Sequence, residues 1–231
     1  MTTIGAFIQA RMSSSRLPGK VLKEISGKPL LEYVFERMEK VQGLDFFVVA
    51  TSSDDSDRPV RDFCRSRAVP CYGGPLDDVA LRFVEAAREY PCDAMLRYCA
   101  DSPLVDVAVM ARALALFRAT DADVVTNVHP RTYPAGHCVE VVRSDVFARA
   151  YPLMKGPELE HNTMYFYNND DKFKITNFEC EEPCAGECNC VDTAADHAFL
   201  ERLVSAMSRP HWTYGWKELS LLAEQIRGGS R

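Results

Sequence analysis

Three cations crowd one short loop near the start of the chain. Arg11, Arg16 and Lys20 fall within Ala10-Arg11-Met12-Ser13-Ser14-Ser15-Arg16-Leu17-Pro18-Gly19-Lys20, directly after the apolar run Ile4-Gly5-Ala6-Phe7-Ile8. Small hydroxyl residues let backbone N–H groups approach an anion, and the cations offset its charge, so the stretch suits the holding of phosphates. Pro18-Gly19 marks a turn. The spacing is neither G-x-x-x-x-G-K-[ST] nor G-x-G-x-x-G, which sets aside the ordinary P-loop and dinucleotide readings. A second chemical position is Asp101, which closes the apolar run 94–100 and is followed by Ser102-Pro103. In an open α/β sheet, ligands bind beyond the carboxyl ends of strands. A carboxylate there suits Mg2+, which takes one or two carboxylates together with phosphates and waters.

The elements that must position these groups alternate. Residues 4–8, 46–50, 69–72, 94–100, 122–126 and 174–178 read as short buried strands. Helical spacing is carried by 29–41, 59–67, 80–89, 106–119, 164–167, 196–207 and 216–226. Continuous apolar strands separated by helices predict an α/β, Rossmann-like fold, a mostly parallel sheet with helices on both faces, in a single domain over 1–231.

Composition narrows the partners. A formal net charge of −6 over 231 residues argues against a general nucleic-acid binder. No apolar run is long enough to span a bilayer, and the first residues lack a signal-peptide pattern, so a cytoplasmic protein with no membrane partner is expected. Nine cysteines then read mostly as reduced thiols. Cys180, Cys184, Cys188 and Cys190, spaced C-x3-C-x3-C-x-C, remain open between a zinc or iron–sulfur site and free thiols.

The opening stretch I-Q-A-R-M-x-S-x-R-L-P-G-K-V-L resembles the signature of the cytidylyltransferases that activate acidic sugars, such as the CMP-Kdo and CMP-acylneuraminate synthetases, and in particular the spore-coat polysaccharide biosynthesis protein F type. The resemblance implies that Ala10, Arg11, Ser13, Ser14, Arg16 and Lys20 wrap the triphosphate of CTP. It continues through the strand end at Ser52, through Asp78-Val79-x-Leu81-Arg82-Phe83, and through Arg97-x-x-x-Asp101-x-Pro103-Leu104. Tyr133-Pro134-x-Gly136-His137-Cys138-x-Glu140-Val141 resembles the family's Y-P-x-G-x-D-x-E-V, with cysteine where an acid is usual. Glu158-x-Glu160-His161-x-Thr163 and Val191-Asp192-Thr193-x-x-Asp196 complete it.

From the resemblance Asp192 is expected as a second carboxylate on Mg2+ beside Asp101. Arg11, Lys20, Asp101 and Asp192 are the catalytic set it implies. Ser52, Asp78, Arg97, Tyr133, His137, Glu140 and His161 are expected near nucleotide or sugar. Residues around 130–190 are expected to form an excursion that shapes the sugar pocket and a homodimer contact. The implied reaction is Mg2+-dependent transfer of CMP from CTP to an acidic sugar, for surface polysaccharide or glycan synthesis. Two other classes stay open. A glycosyltransferase is suggested by the D-x-D pair Asp121-Ala122-Asp123, and a non-catalytic nucleotide-binding homologue by the departures at Cys138 and before Val191.

Overall fold

The computed structural model describes residues 2–181 and 190–228. Its strands are β1 (Ile4–Gln9), β2 (Glu24–Ile25), β3 (Lys28–Pro29), β4 (Phe46–Ser52), β5 (Cys71–Gly74), β6 (Ala94–Cys99), β7 (Val124–Thr126), β8 (Glu140–Arg143) and β9 (Ile175–Asn177). Strands β2 and β3 pair as a small antiparallel ribbon. The others form a seven-stranded sheet in the order β5-β4-β1-β6-β8-β7-β9. All of its neighbours pair in parallel except β8, which runs antiparallel to both β6 and β7. The Rossmann-like, mostly parallel sheet expected from the sequence is therefore present.

Strand alternation sends side chains into two layers. Ile4, Ala6, Ile8, Leu96 and Tyr98 pack beneath α1 (Leu30–Met38), α2 (Arg58–Ser66) and α4 (Val107–Ala119). Phe7, Val48, Met95, Val124 and Val142 face α3 (Val79–Glu89), α5 (Ser144–Ala150) and α6 (Met164–Tyr167). Helix α1 shows the local cause: Leu31, Val34, Phe35 and Met38 recur at helical spacing and all enter the first layer. Pro29 lies just outside this helix as its extended N-cap residue, so its missing N–H costs nothing. The last two helices, α7 (Ala194–Ser205) and α8 (Trp216–Gly228), build a third cluster with the β2–β3 ribbon through Ile25, Leu200, Leu203 and Leu219.

Two local differences from the sequence pattern have simple causes. The third main-sheet strand begins at Cys71 instead of Val69, because Pro70 cannot donate to the ladder and contributes its carbonyl to Val49 N–H at 2.9 Å. Helix α5 follows β8 without a separating turn, so no punctuation marks it. Tyr165 and Phe166 of the short helix α6 are core: both are buried in the α3–α5–α6 layer.

The chain passes from β1 outward to β4 and β5, then returns to β6 on the other side of β1. The ends of β1 and β6 thus flank a topological switch point, where a crevice opens beyond the sheet.

Candidate active site

The crevice is lined by both chemical stretches named above. Arg11, Ser14, Arg16 and Lys20 come from the loop after β1, Asp101 from the turn after β6, and Asp192 from the segment before α7; Arg97, Glu160 and His161 line it as well.

The cationic loop is held from below by a buried carboxylate. Asp57 accepts from Met12 N–H at 2.6 Å and, through its other oxygen, from the Ser52 N–H at 3.1 Å and hydroxyl at 2.5 Å. Ser52 is itself fully buried, so it anchors the loop to the end of β4 and does not face the crevice. Ala10 is likewise buried, its N–H directed at Ala50 O. The loop closes on itself through Ser14 N–H and Gly19 N–H, which both donate to Met12 O, at 3.0 and 2.8 Å. Gly19 makes this turn at φ +71°, a conformation a side chain disfavours, and a Cβ there would meet Met12 Cε at 3.1 Å. The short 3-10 turn Lys20–Leu22 follows and buries the Lys20 stem. Ser13 stays exposed.

At the centre, Lys20 Nζ lies 2.9 Å from Asp101 Oδ2, 2.9 Å from Asp192 Oδ1 and 2.8 Å from Val191 O. Arg16 reaches Asp192 Oδ1 at 2.9 Å. Burial works against the Lys20 charge, but Asp101 and Asp192 more than offset it and raise its pKa above the ordinary lysine value. The two carboxylates come from distant parts of the chain and are locked together by the Val191 N–H to Asp101 O bond at 2.8 Å. Their oxygens converge on a single cationic point from separate segments. That donor set, oxygen only and two carboxylates, fits a hard divalent ion such as Mg2+. Among the described residues, no group of three or more His, Cys, Asp or Glu could hold a metal. Any ion here would therefore draw its remaining ligands from phosphates and water. Cys184 and Cys188 lie outside the described residues. Cys180 is buried with its N–H on Thr132 Oγ1, and Cys190 Sγ sits 3.3 Å from Ser102 Oγ.

Arg11 is paired across the crevice with Glu160, 2.5 Å between Nη2 and Oε1. His161 is exposed beside it. Below them, on the face of β6 that carries Met95, Arg97 donates from Nη1 to Glu140 Oε2 at 3.1 Å. Tyr167 donates to Glu140 Oε1 at 2.6 Å, and its hydroxyl lies 2.9 Å from Thr126 Oγ1. Burial opposes the Arg97 charge, but Cys99, Glu140 and Asp101 more than restore it, so its pKa is raised.

Besides Ser52 and Ala10, three expected site residues serve the fold instead. His137 is fully buried, its Nδ1 accepting from Asp106 N–H at 3.1 Å, and burial lowers its pKa to about 4. Tyr133 is buried between Phe178 and Trp216 with its hydroxyl 3.0 Å from Arg112 Nη1. Neither lines the crevice. Asp78 caps α3, accepting from Leu81 N–H at 2.7 Å and from the Tyr151 hydroxyl at 2.9 Å. Asp196 forms a capping box with Thr193 at the start of α7. The D-x-D pair precedes β7, at the end of the sheet away from the crevice. Asp121 pairs there with Lys174, and Asp123 accepts from Lys174 N–H at 2.9 Å.

Two site residues escaped the sequence reading. Asp57 reads as one of several acids before α2, and nothing local separates it from a helix-start residue. Glu160 stands in a matched segment, but its pairing with Arg11 bridges 149 positions and has no local signal.

Comparison with known proteins agrees with this geometry. Residues 6–204 match the cytidylyltransferase family model. The spore coat polysaccharide biosynthesis protein SpsF of Bacillus subtilis is 28% identical over 191 residues, covering 79% of this chain and 77% of its own. The 3-deoxy-manno-octulosonate cytidylyltransferase 2 of Hydrogenovibrio crunogenus is 36% identical over 118 residues, 51% of this chain and 48% of its own. Among solved structures, a cytidylyltransferase from Leptospira borgpetersenii superposes with a TM-score of 0.92 at 24% identity, covering 99% of this chain and 96% of the other.

Proposed function

Because the chain belongs to the cytidylyltransferase family, we propose that it transfers CMP from CTP to a hydroxyl of an acidic sugar, with release of pyrophosphate. The observation that carries this reading is the meeting of the Arg11–Arg16–Lys20 loop with the Asp101–Asp192 pair in one crevice.

In the reaction the acceptor oxygen attacks the α-phosphorus of CTP. The new P–O bond forms as the bond to the β-phosphate oxygen breaks, and pyrophosphate departs with that electron pair. The hydroxyl proton passes to water in the open crevice, and no protein nucleophile is required. Arg11 and Arg16 hold the triphosphate and stabilise the charge that gathers on the leaving pyrophosphate. Loop backbone between Ser13 and Arg16 adds donors. Lys20, fixed by two carboxylates and a carbonyl, orients both carboxylates toward the α-phosphate position. Asp101 and Asp192 would hold Mg2+, which supplies Lewis-acid stabilisation of the phosphoryl oxygens when bound. Glu160 leaves Arg11 as the triphosphate arrives.

An acidic acceptor is supported by the name of the 3-deoxy-manno-octulosonate cytidylyltransferase relative, and a role in surface polysaccharide synthesis by the name of SpsF. A homodimer working in the cytoplasm belongs to the same reading; no helix among the described residues is long and apolar enough to cross a membrane. The test is pyrophosphate release from each of the four common nucleoside triphosphates with Mg2+ against a panel of acidic sugars, with Asp101→Asn beside the wild type. Release with CTP alone, abolished by the substitution, is the expected result. Consumption of a nucleotide sugar without pyrophosphate release would replace this reading with glycosyl transfer.

A further inference from the structure

Arg97 carries more hydrogen-bonding capacity than its surroundings use. Its side chain is only 17% exposed, and it lines the crevice. Nη1 donates to Glu140. Nε is buried and has no partner, and the one hydrogen bond that Arg97 makes among the described residues leaves from Nη1, not Nη2. A buried donor left unsatisfied costs about 1–3 kcal/mol, more in a charged group. The protein nevertheless holds this guanidinium firmly. Glu140, 7% exposed, grips one end; Tyr167 fixes Glu140, and the Thr126 hydroxyl in turn holds that of Tyr167. The row runs straight across the sheet, since Arg97 registers with Glu140, and Glu140 with Thr126.

The unused donors are Nε and Nη2, which lie on one edge of the planar fork. That edge matches the two oxygens of a carboxylate in a bidentate pair. The charge balance limits the guest. Glu140 already compensates the guanidinium, so a dianionic phosphate would meet net repulsion, whereas a monoanion accepts two directed hydrogen bonds at a smaller electrostatic cost. The loop cations pair with Glu160, Asp101 and Asp192, whereas Arg97 pairs with Glu140.

We propose that the Nε–Nη2 edge of Arg97 receives the carboxylate of the acceptor, with Glu140 and Tyr167 as the residues that position it. This rests on the cytidylyl-transfer reading and names the group that reads the acceptor. A neutral sugar leaves Nε unsatisfied, so the same wall that binds an acid disfavours its uncharged analogue.

Two measurements test it. The first is independent of the acceptor's identity. The Nε–Hε resonance of Arg97, assigned by its loss in Arg97→Lys, is followed by NMR while acetate or methylphosphonate is added to the protein loaded with CMP. A saturating shift with acetate and a weaker one with methylphosphonate are expected. No shift with acetate up to molar concentration, or a stronger response to methylphosphonate, overturns the proposal.

The second uses the acid sugar that supports pyrophosphate release. Arg97→Lys keeps the charge but loses the fork, and should raise the acceptor KM about 10- to 100-fold, the range of a lost charge-assisted hydrogen bond. The CTP KM should stay within about twofold. Glu140→Gln retains an acceptor for Nη1 and removes a negative charge, so it should hold or lower the acceptor KM while Glu140→Ala raises it. A rise in the CTP KM with the acceptor KM unmoved, or turnover of a neutral sugar as fast as its acid, overturns the assignment. Failure of the parent reading looks different: CTP then neither binds nor releases pyrophosphate, whatever Arg97 does to acetate.

Discussion

Lys20 Nζ stands 2.9 Å from a carboxylate oxygen of Asp101 and 2.9 Å from one of Asp192, in the position a divalent cation between those two residues would seek. An ammonium and a metal ion held there would compete for the same oxygens. Lys20→Met should tighten Mn2+ binding to the nucleotide-free protein about tenfold, the size of a shifted ion-pair equilibrium at a half-buried site. Asp101→Asn should weaken it. Electron paramagnetic resonance of free Mn2+ measures both. Nucleotidyl transfer by Lys20→Met should fall about 100-fold or more, because a fixed charge is lost from the reacting centre. Weaker Mn2+ binding in Lys20→Met would mean that the ammonium orients the carboxylates without competing for them.

Arg11 and Glu160 form the second pairing across the crevice, with side chains 33% and 44% exposed. A solvent-screened pair of this kind is worth about 0.2–1 kcal/mol. Glu160→Gln should free Arg11 for the triphosphate and tighten CTP binding by about two- to fivefold, the equilibrium equivalent of that energy. Arg11→Gln should weaken CTP binding. Isothermal titration with CTP decides it, and looser binding in Glu160→Gln would show that Glu160 supports the nucleotide site instead of screening it.

How much of this was legible before folding depends on the range of each interaction. Arg11, Arg16, Lys20 and Asp101 stand at strand ends, and their place follows from local pattern alone. Arg97, too, could be placed at the crevice from its position four residues before Asp101. Its grip by Glu140 could not, because β8 returns antiparallel and nothing in the run 139–142 tells a reversed strand from a parallel one. His137 misled for the opposite reason. The resemblance of 133–141 places it near the sugar, but that stretch folds against the start of α4, where Asp106 N–H donates to its ring nitrogen. Burial is a property of the assembled layers, and short-range spacing does not carry it.

The same burial gives His137 a thermodynamic signature. Desolvation lowers its pKa from 6.5 to about 4 in the folded chain. Between those values the unfolded chain binds a proton that the folded chain does not. Stability is therefore fully present above pH 6.5, is lost as pH falls toward 4, and changes no further on this account below that. The full span is about 3 kcal/mol for one fully buried imidazole. His211, lowered to about 4 chiefly by burial as well, slopes the same way. His137→Asn, which keeps an acceptor near Asp106 N–H without a titrating ring, should flatten the curve by about half. Urea titrations at intervals from pH 7.5 to pH 4 measure it, and an unchanged slope would place the acid sensitivity elsewhere.

Arg37 ties the C-terminal helices to the sheet. It is fully buried in α1 and donates to Val105 O at 2.5 Å, to His211 O, and to His211 Nδ1 at 3.3 Å. Burial lowers its pKa to about 10, yet the guanidinium remains charged at neutral pH. His211 in turn sets Nε2 2.6 Å from Glu36 Oε2, so one turn of α1 grips the chain just before α8 from two sides. Arg37→Met fills most of the volume but strands the buried carbonyls of Val105 and His211. At about 1–3 kcal/mol for each unsatisfied group, the substitution should destabilise the protein by about 3 kcal/mol or more. Because α7 and α8 share one apolar cluster with Leu17 of the cationic loop, the same variant should raise hydrogen exchange in α8 first and weaken CTP binding only as α7 loosens. Hydrogen-exchange mass spectrometry with and without CTP separates the two effects. Loosening confined to α1, with α8 protected as in the wild type, would show that the apolar cluster alone holds the C-terminal helices.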